Sequence, residues 1–327
     1  MPSVATRRLI QERLDAETGR IDKEAPTRVA LTYPSPYHVG MSSLGYQQVY
    51  KGLQAMPGVA CERVFLPDDA ADPSGRVAER PVSYEHRREL SEFPLILVSV
   101  AYELELAGLI KLLDSSQIPA LARDRRERDP LVIAGGPLTF SNPLPLGPFV
   151  DAIVIGEAEE LLEPVVRAAS EAPTRAEALE ALAKLPSVFV PALHGEALPT
   201  PAACDDQLLP AFSTIRTPHT ELSNMFLIEA ERGCSRGCTY CVMRRSTNGG
   251  MRIVPKDVVL ERIPSDVRRV GLVGAAVSDH PKIVEILHAL ADRECEVGLS
   301  SLRPDRLKDE FVSALRRVGY RTLTTAL

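Results

Sequence analysis

The chain has 327 residues, 45% of them hydrophobic and 25% charged, and a formal net charge of −6. That length suits two domains better than one, and the composition is that of an ordinary globular protein. The negative balance argues against nucleic acid as a partner, because phosphate binding draws on an excess of Lys and Arg. No apolar run approaches the ~20 residues that span a bilayer.

The first 25 residues, "MPSVATRRLIQERLDAETGRIDKEA", lack the apolar core of a secretory signal and read as a short, charged amphipathic helix. A soluble, reducing, cytoplasmic setting is expected. In such a setting clustered cysteines serve as metal ligands or catalysts more readily than as disulfides.

Segments 27–35 ("TRVALTYPS"), 60–68 and 93–102 ("FPLILVSVAY") are apolar and β-branched and read as buried strands. Segments 42–56 and 103–116 have helical spacing. "DPLVIAGGP" (129–137) is a strand running into glycines, and 150–169 is a strand, a glycine turn and a helix. Strands alternating with helices, without hairpin turns, predict a doubly wound parallel sheet over 26–170. Ligands of such sheets bind beyond the carboxyl ends of the strands. Gly135, Gly136 and Gly156 stand at those ends, where they either admit a ligand close to the backbone or only form tight turns.

Residues 171–222 change character. After a helix over 174–184, prolines and short β-like pieces dominate, which predicts an interdomain connector. Cys204 lies there alone and reads as incidental. A second αβ series begins at 223: strands over 223–234, 268–279, 295–304 and 320–327, with helices over 255–267, 280–293 and 304–319.

Directly after the first of these strands comes "GCSRGCTYC". Half of the chain's six cysteines, Cys234, Cys238 and Cys241, fall within it. Gly233 and Gly237 precede two of them and Arg232 and Arg236 interleave, so this is a loop and not a core segment. The spacing points to metal or cluster ligation. Structural zinc wants four ligands, and this loop offers three thiolates. An iron–sulfur cube takes one thiolate per iron, so three cysteines leave one iron open, and an open coordination position is where chemistry occurs.

A Cys-x3-Cys-x2-Cys loop placed after the first strand of a βα series, with an aromatic residue, Tyr240, before the third cysteine, resembles the radical S-adenosylmethionine (radical SAM) superfamily. The resemblance implies that Cys234, Cys238 and Cys241 hold a [4Fe–4S] cluster whose open iron is chelated by SAM. SAM would then be cleaved reductively to methionine and a 5′-deoxyadenosyl radical that takes a hydrogen atom from a substrate. It implies a (βα)6 barrel with its site at the carboxyl ends of the strands and a reductant such as a flavodoxin or ferredoxin.

Many members carry Gly-Gly-Glu after the second strand, against the SAM amino group. Here that position reads Gly274-Ala275-Ala276. The carboxylate is missing, Gly274 keeps the backbone role, and Ser278 or Asp279 are candidates for the lost contact. Asp279 could equally cap the helix from His280. In "SSLRPDRL" the resemblance assigns Ser300 and Ser301 to the ribose and Arg303 to the SAM carboxylate. The bland reading of Arg303 is a surface arginine before a proline turn.

With the doubly wound domain in front, the chain resembles the radical SAM proteins that carry a cobalamin-binding domain. The fold expected is an N-terminal Rossmann-like, cobalamin-binding-like sheet (26–170) after the N-terminal helix (1–25), the connector (171–222), and an incomplete radical SAM barrel (223–327), read as C-terminally truncated. For cobalamin the candidates are Gly135, Gly136 and Gly156. His38 lacks the Asp of the cobalt-ligating motif and is only a minor candidate. A single Cys61 in the first domain argues against the tRNA-thiomethylating branch, which carries further cluster cysteines there. Two other readings stay open: an iron–sulfur electron-transfer or sensor protein that never cleaves SAM, and a zinc-binding interaction module completed by Cys295 or His219. No residue pattern names the substrate.

Overall fold

The computed structural model describes residues 2–68, 79–242 and 250–320. Two compact units emerge, Met1–Cys204 with His219–Glu221, and Asp205–Pro218 with Leu222–Leu327.

The first unit opens with helix α1 (Val4–Asp15), capped by the Ser3 hydroxyl accepting from the Thr6 N–H. Strands β1 (Thr27–Pro36), β2 (Val59–Leu66), β3 (Leu95–Ser99), β4 (Leu131–Gly135), β5 (Ala152–Val154) and β6 (Val188–Phe189) form one sheet in the order β2-β1-β3-β4-β5-β6. The first five run parallel and β6 joins β5 antiparallel. Helices α2 (Tyr37–Gly40), α3 (Leu44–Ala55), α4 (Glu105–Ser115), α5 (Leu162–Ser170), α6 (Arg175–Ala183) and α7 (Pro191–His194) fill the connections. The strand order reverses between β1 and β3, which makes their carboxyl ends the switch point of the sheet.

Continuous apolar runs such as Leu95–Ser99 arise because both faces of a parallel sheet are covered. Strand β2 departs from this with Glu62 and Arg63, both buried. Arg63 tolerates burial because its Nη1 donates to Glu17 at 2.7 Å and its Nε to Glu85 at 2.6 Å. Its guanidinium also lies over the Tyr50 ring. A buried charge persists only with such partners, and removing one would leave the other uncompensated.

Within the expected connector, Val188–Phe189 adds the sixth strand and Pro191–His194 a short helix, a local order that prolines and an apolar pair had not announced. Ala202 then bridges to Gly156. The stretch up to Cys204 is therefore part of the first unit.

The second unit holds β7 (Phe226–Glu229), β8 (Glu231–Gly233), β9 (Met251–Ile253), α8 (Lys256–Arg262), β10 (Arg269–Val273), α9 (Ile283–Asp292), β11 (Glu296–Leu299) and α10 (Asp309–Arg317). Strands β7, β10 and β11 are parallel neighbours in chain order, the opening of a βα series, while β8 and β9 pair antiparallel beside them. Helix α10 turns Phe311, Ala314 and Leu315 inward, at the i, i+3, i+4 spacing of an amphipathic helix, onto a core with Val270, Leu287 and Leu290. The strand expected at 320–327 lies, from Arg321 onward, outside the described residues. Among those described, no helix is long and apolar enough to cross a membrane.

Candidate functional site

Strand β7 hands the chain to β8 through Ala230, whose N–H still donates to Val273 of β10. From there the chain changes partners: Glu231, Arg232 and Gly233 pair with Ile253, Arg252 and Met251. This ladder ties together the two ends of the cysteine loop. Gly233 leaves it with φ at +95°, a backbone conformation that glycine adopts without a Cβ clash, and Cys234 follows. The β8–β9 clasp was not expected from the sequence, where 223–234 read as one strand and the three-residue Met251–Ile253 was too short to register.

The three cysteines of the loop differ from the rest. Cys61, Cys204 and Cys295 are buried, while Cys234 and Cys241 are half-buried and Cys238 is exposed. Thiols used as small hydrophobes are inside, so core packing does not account for these three. The Cys241 N–H donates to the Cys238 carbonyl at 3.3 Å, which folds the pair into one turn. Tyr240, between them, is 78% exposed and free of the core. Three accessible soft donors on one short loop fit an iron–sulfur cube with an open iron.

The loops after β10 and β11 meet at the same carboxyl ends. The Gly274 N–H donates to the Ser300 hydroxyl at 3.0 Å, and that hydroxyl donates back to the Gly274 carbonyl at 2.8 Å. The Ser301 hydroxyl accepts from the Val277 N–H and donates to the same carbonyl. Gly274, Ser300 and Ser301 are thus brought together as expected for neighbouring strand ends.

Arg303 joins them through its backbone N–H, which donates to Ser278 Oγ. Its guanidinium, however, is divided between Asp279 and Asp305, at 2.6 Å each. Asp279 also accepts from Arg306 Nε at 2.7 Å and lies 3.5 Å from Arg236 of the cysteine loop. Burial alone would raise the Asp279 carboxyl. The hydrogen bonds and charges of Arg306 and Arg303 outweigh it and hold the group below its ordinary value. Asp279 does not cap the following helix, which starts only at Ile283. The chain between them is pinned instead by His280, buried, with Nε2 on the Val254 carbonyl and Nδ1 accepting from the Lys282 N–H.

One residue of this site was missed in the sequence. Glu231 is fully buried, and its Oε1 accepts from the Ala276 N–H at 2.6 Å. The carboxylate lies over Gly274, so close that a Cβ there would overlap it. Burial is the largest influence on its acidity. The Ala276 N–H opposes it, Glu229 and Asp279 reinforce it, and the carboxyl is pushed up to about 7. Neighbouring Glu229 is tied up otherwise, accepting from Arg232 and from the Ala211 N–H. The clue in the sequence was a Glu three places before the first cysteine, set against a Gly274-Ala275-Ala276 run that lacks one.

In the first unit, Gly136 has φ at +101°, and a Cβ there would meet the Val100 carbonyl oxygen at 2.7 Å. Gly156, φ +100°, faces the backbone of Ala202 in the same way. Both glycines are needed for close approach of the chain to itself. Gly135 has only ordinary contacts, with Val154. For Gly136 and Gly156 these backbone contacts account for the glycine without a corrin. His38 sits on α2. At the switch point, Gly108 of α4 packs on the Pro34 carbonyl and Glu105 accepts from the Ala101 N–H.

Completion of a zinc site by Cys295 is excluded by register. Cys295 immediately precedes Glu296, at the amino end of the parallel strands, and its thiol lies against the Val267 carbonyl. The cysteine loop leaves from the opposite, carboxyl end.

Comparison with known proteins bears on both units. Residues 45–191 match the model of radical SAM proteins, N-terminal, and residues 228–327 that of the radical SAM superfamily. A curated relative from Methanocaldococcus jannaschii, the uncharacterized protein MJ0966, is 24% identical over 314 residues. The match takes in 91% of this chain and 60% of that protein, so the chain spans less than two thirds of its relative's length. Among solved structures, the radical S-adenosylmethionine methyltransferase TsrM from Kitasatospora setae, with tryptophan substrate and a SAM analogue bound, superposes with a TM-score of 0.56 at 14% identity. That superposition covers 89% of this chain and 57% of the other, a likeness of fold. Its N-terminal region and its cysteine-bearing core are thus each similar to a model of the radical SAM group.

Proposed function

We propose that the chain is the cofactor-bearing part of a radical SAM enzyme. The single observation that carries this reading is the cysteine loop itself: three accessible thiols on a turn clasped by β8 and β9, at the carboxyl ends of β7, β10 and β11. In this reading Cys234, Cys238 and Cys241 hold the cluster, and Gly274, Ser300 and Ser301 present backbone and hydroxyl groups to the nucleoside. When bound, the cluster supplies the electron that cleaves SAM, and SAM supplies the hydrogen-abstracting group.

Arg303 takes a different role from the one expected of it. Its guanidinium would have to release Asp279 and Asp305 to reach a SAM carboxylate, so we assign it to holding the loop after β11 against the loop after β10. Arg236 carries the same acidic anchor into the cysteine loop. Cobalamin is not part of the proposal; Gly136 and Gly156 are explained by contacts with their own chain. An electron donor such as a flavodoxin or ferredoxin is required by the chemistry, and the substrate stays unassigned.

Anaerobic reconstitution of the chain with iron and sulfide, reduction, and addition of SAM tests the reading. Formation of 5′-deoxyadenosine supports it. A loaded cluster that leaves SAM intact favours the electron-transfer alternative, and zinc held in place of iron favours the interaction module.

A further inference from the structure

Three arginines share two carboxylates beyond the carboxyl ends of β10 and β11. Arg303 donates to Asp279 and to Asp305 at 2.6 Å each, and Arg306 donates to the other oxygen of Asp279 at 2.7 Å. Both oxygens of Asp279 are thus taken without Arg236. Arg236 Nε stands 3.5 Å from Asp279 and its Nη2 4.0 Å from Asp305, with 43% of the side chain exposed. These contacts are longer than a good hydrogen bond, and an exposed ion pair of that kind contributes little to stability. Three positive charges therefore face two negative ones, and Arg236 is the one least compensated.

Its place in the chain gives that surplus charge a use. Arg236 lies two residues from Cys234 and two from Cys238. The other cation among the described residues 231–242, Arg232, is neutralised by Glu229. Resting on the radical SAM reading above, we propose that Arg236 raises the reduction potential of a cluster held by this loop. A cube held by thiolates is anionic, and uptake of an electron adds further negative charge, so a fixed cation on the same loop favours the reduced form. Asp279 and Asp305 anchor the guanidinium without cancelling it. The step is a one-electron reduction by an external donor, in which no bond forms or breaks.

The test is a redox titration of the reconstituted full chain with dithionite, followed by electron paramagnetic resonance, without SAM and at one pH, so that the state of Glu231 is common to all samples. Iron and sulfide content are measured alongside. Arg236→Gln should lower the ratio of reduced to oxidised cluster at a fixed potential about 3- to 10-fold. That is a shift of about 30–60 mV to more negative values for a one-electron couple. Arg236→Lys keeps the charge and should stay close to the unaltered chain. Equal potentials in Arg236→Gln and the unaltered chain overturn the assignment. So does an Arg236→Lys potential that falls as far as that of Arg236→Gln, since contact shape and not charge would then be at work. Should Arg236→Gln fail to load, Asp305→Asn decides: it removes an exposed carboxylate beside Arg236. A shift to less negative values supports the assignment, and no shift or the opposite one contradicts it. If the unaltered chain forms 5′-deoxyadenosine from SAM while its potential ignores Arg236, the assignment falls and the radical SAM reading stands. An unaltered chain that takes up no cluster contradicts that reading, and the assignment with it.

Discussion

The carboxylate of Glu231 packs directly over the Cα of Gly274, in space that any other residue would need for its Cβ. Gly274 does not have the positive φ that would by itself demand glycine, so the constraint there is steric. Gly274→Ala should destabilise the second unit by about 1–3 kcal/mol, the usual cost of overpacking a filled site. In a Glu231→Ala background the clash with the carboxylate is gone and only the residue-231 carbonyl oxygen, 2.9 Å from the added methyl, stays close, so the same substitution should cost less. A double-mutant cycle by urea denaturation reads the coupling. Independent, additive effects would show that the two groups do not compete for space.

Stability should fall as pH rises through neutrality. The folded Glu231 carboxyl is pushed up to about 7 from an ordinary 4.5, chiefly by burial. Between those values the folded chain binds the proton more tightly than the unfolded chain does. The stabilising contribution is therefore complete below about pH 4.5 and is lost as pH climbs from there through about 7, on the order of 3 kcal/mol in all. Denaturation midpoints measured across this window should slope downward for the unaltered chain and less so for Glu231→Gln. Parallel profiles would remove Glu231 from the account.

Asp279 works in the opposite sense. Its carboxyl is held low by Arg306 and Arg303 against the effect of burial, so its contribution is present above its ordinary 3.8 and is lost on acidification below that. Asp279→Asn at neutral pH should lower stability by about 1–3 kcal/mol, since two arginines lose their shared counter-ion. Arg236→Ala, at a longer and more exposed contact, should cost less than about 1 kcal/mol. Thermal denaturation of the two variants checks the ranking.

Gly156→Ala addresses the first unit. A methyl there would strike the Ala202 backbone, and φ at +100° is itself unfavourable for alanine. A loss of about 2 kcal/mol or more is expected, with the Gly156–Ala202 bridge opened. Hydrogen exchange at the Glu157 amide, which donates to the Ala202 carbonyl, should accelerate in step.

Each loop cysteine should matter to metal content and each buried one should not. Ser in place of Cys234, Cys238 or Cys241 should sharply reduce iron after reconstitution, whereas Cys295→Ser should retain it. Iron lost equally on changing Cys295 would revive a ligand role that its place at the amino end of β11 contradicts.

Much of this architecture could be read directly from periodicity. Apolar runs such as Leu95–Ser99 and Leu131–Gly135 reveal parallel strands because both faces are covered, and the helix spacing of 280–293 contains the observed α9. The cysteine triplet was legible as a ligand set because charged and glycine neighbours rule out a core. What stayed hidden depends on contacts distant in sequence. Met251–Ile253 is a strand only because Glu231–Gly233 is beside it. Arg303 looked available until Asp279, 24 positions earlier, was seen to hold it. Gly136 and Gly156 looked like ligand-lining residues because a glycine says that something comes close, not what. Glu231, 45 positions from Ala276, read as one more charge in a charged loop.

The most direct test of the central claim, that three thiolates hold a cluster whose open iron receives SAM, is the electron paramagnetic resonance spectrum of the reduced, reconstituted chain before and after SAM is added. A cluster signal that shifts on addition of SAM, and that is absent from the Cys234→Ser, Cys238→Ser and Cys241→Ser variants, is the predicted result. A signal unmoved by SAM, or one that survives loss of these cysteines, would contradict it.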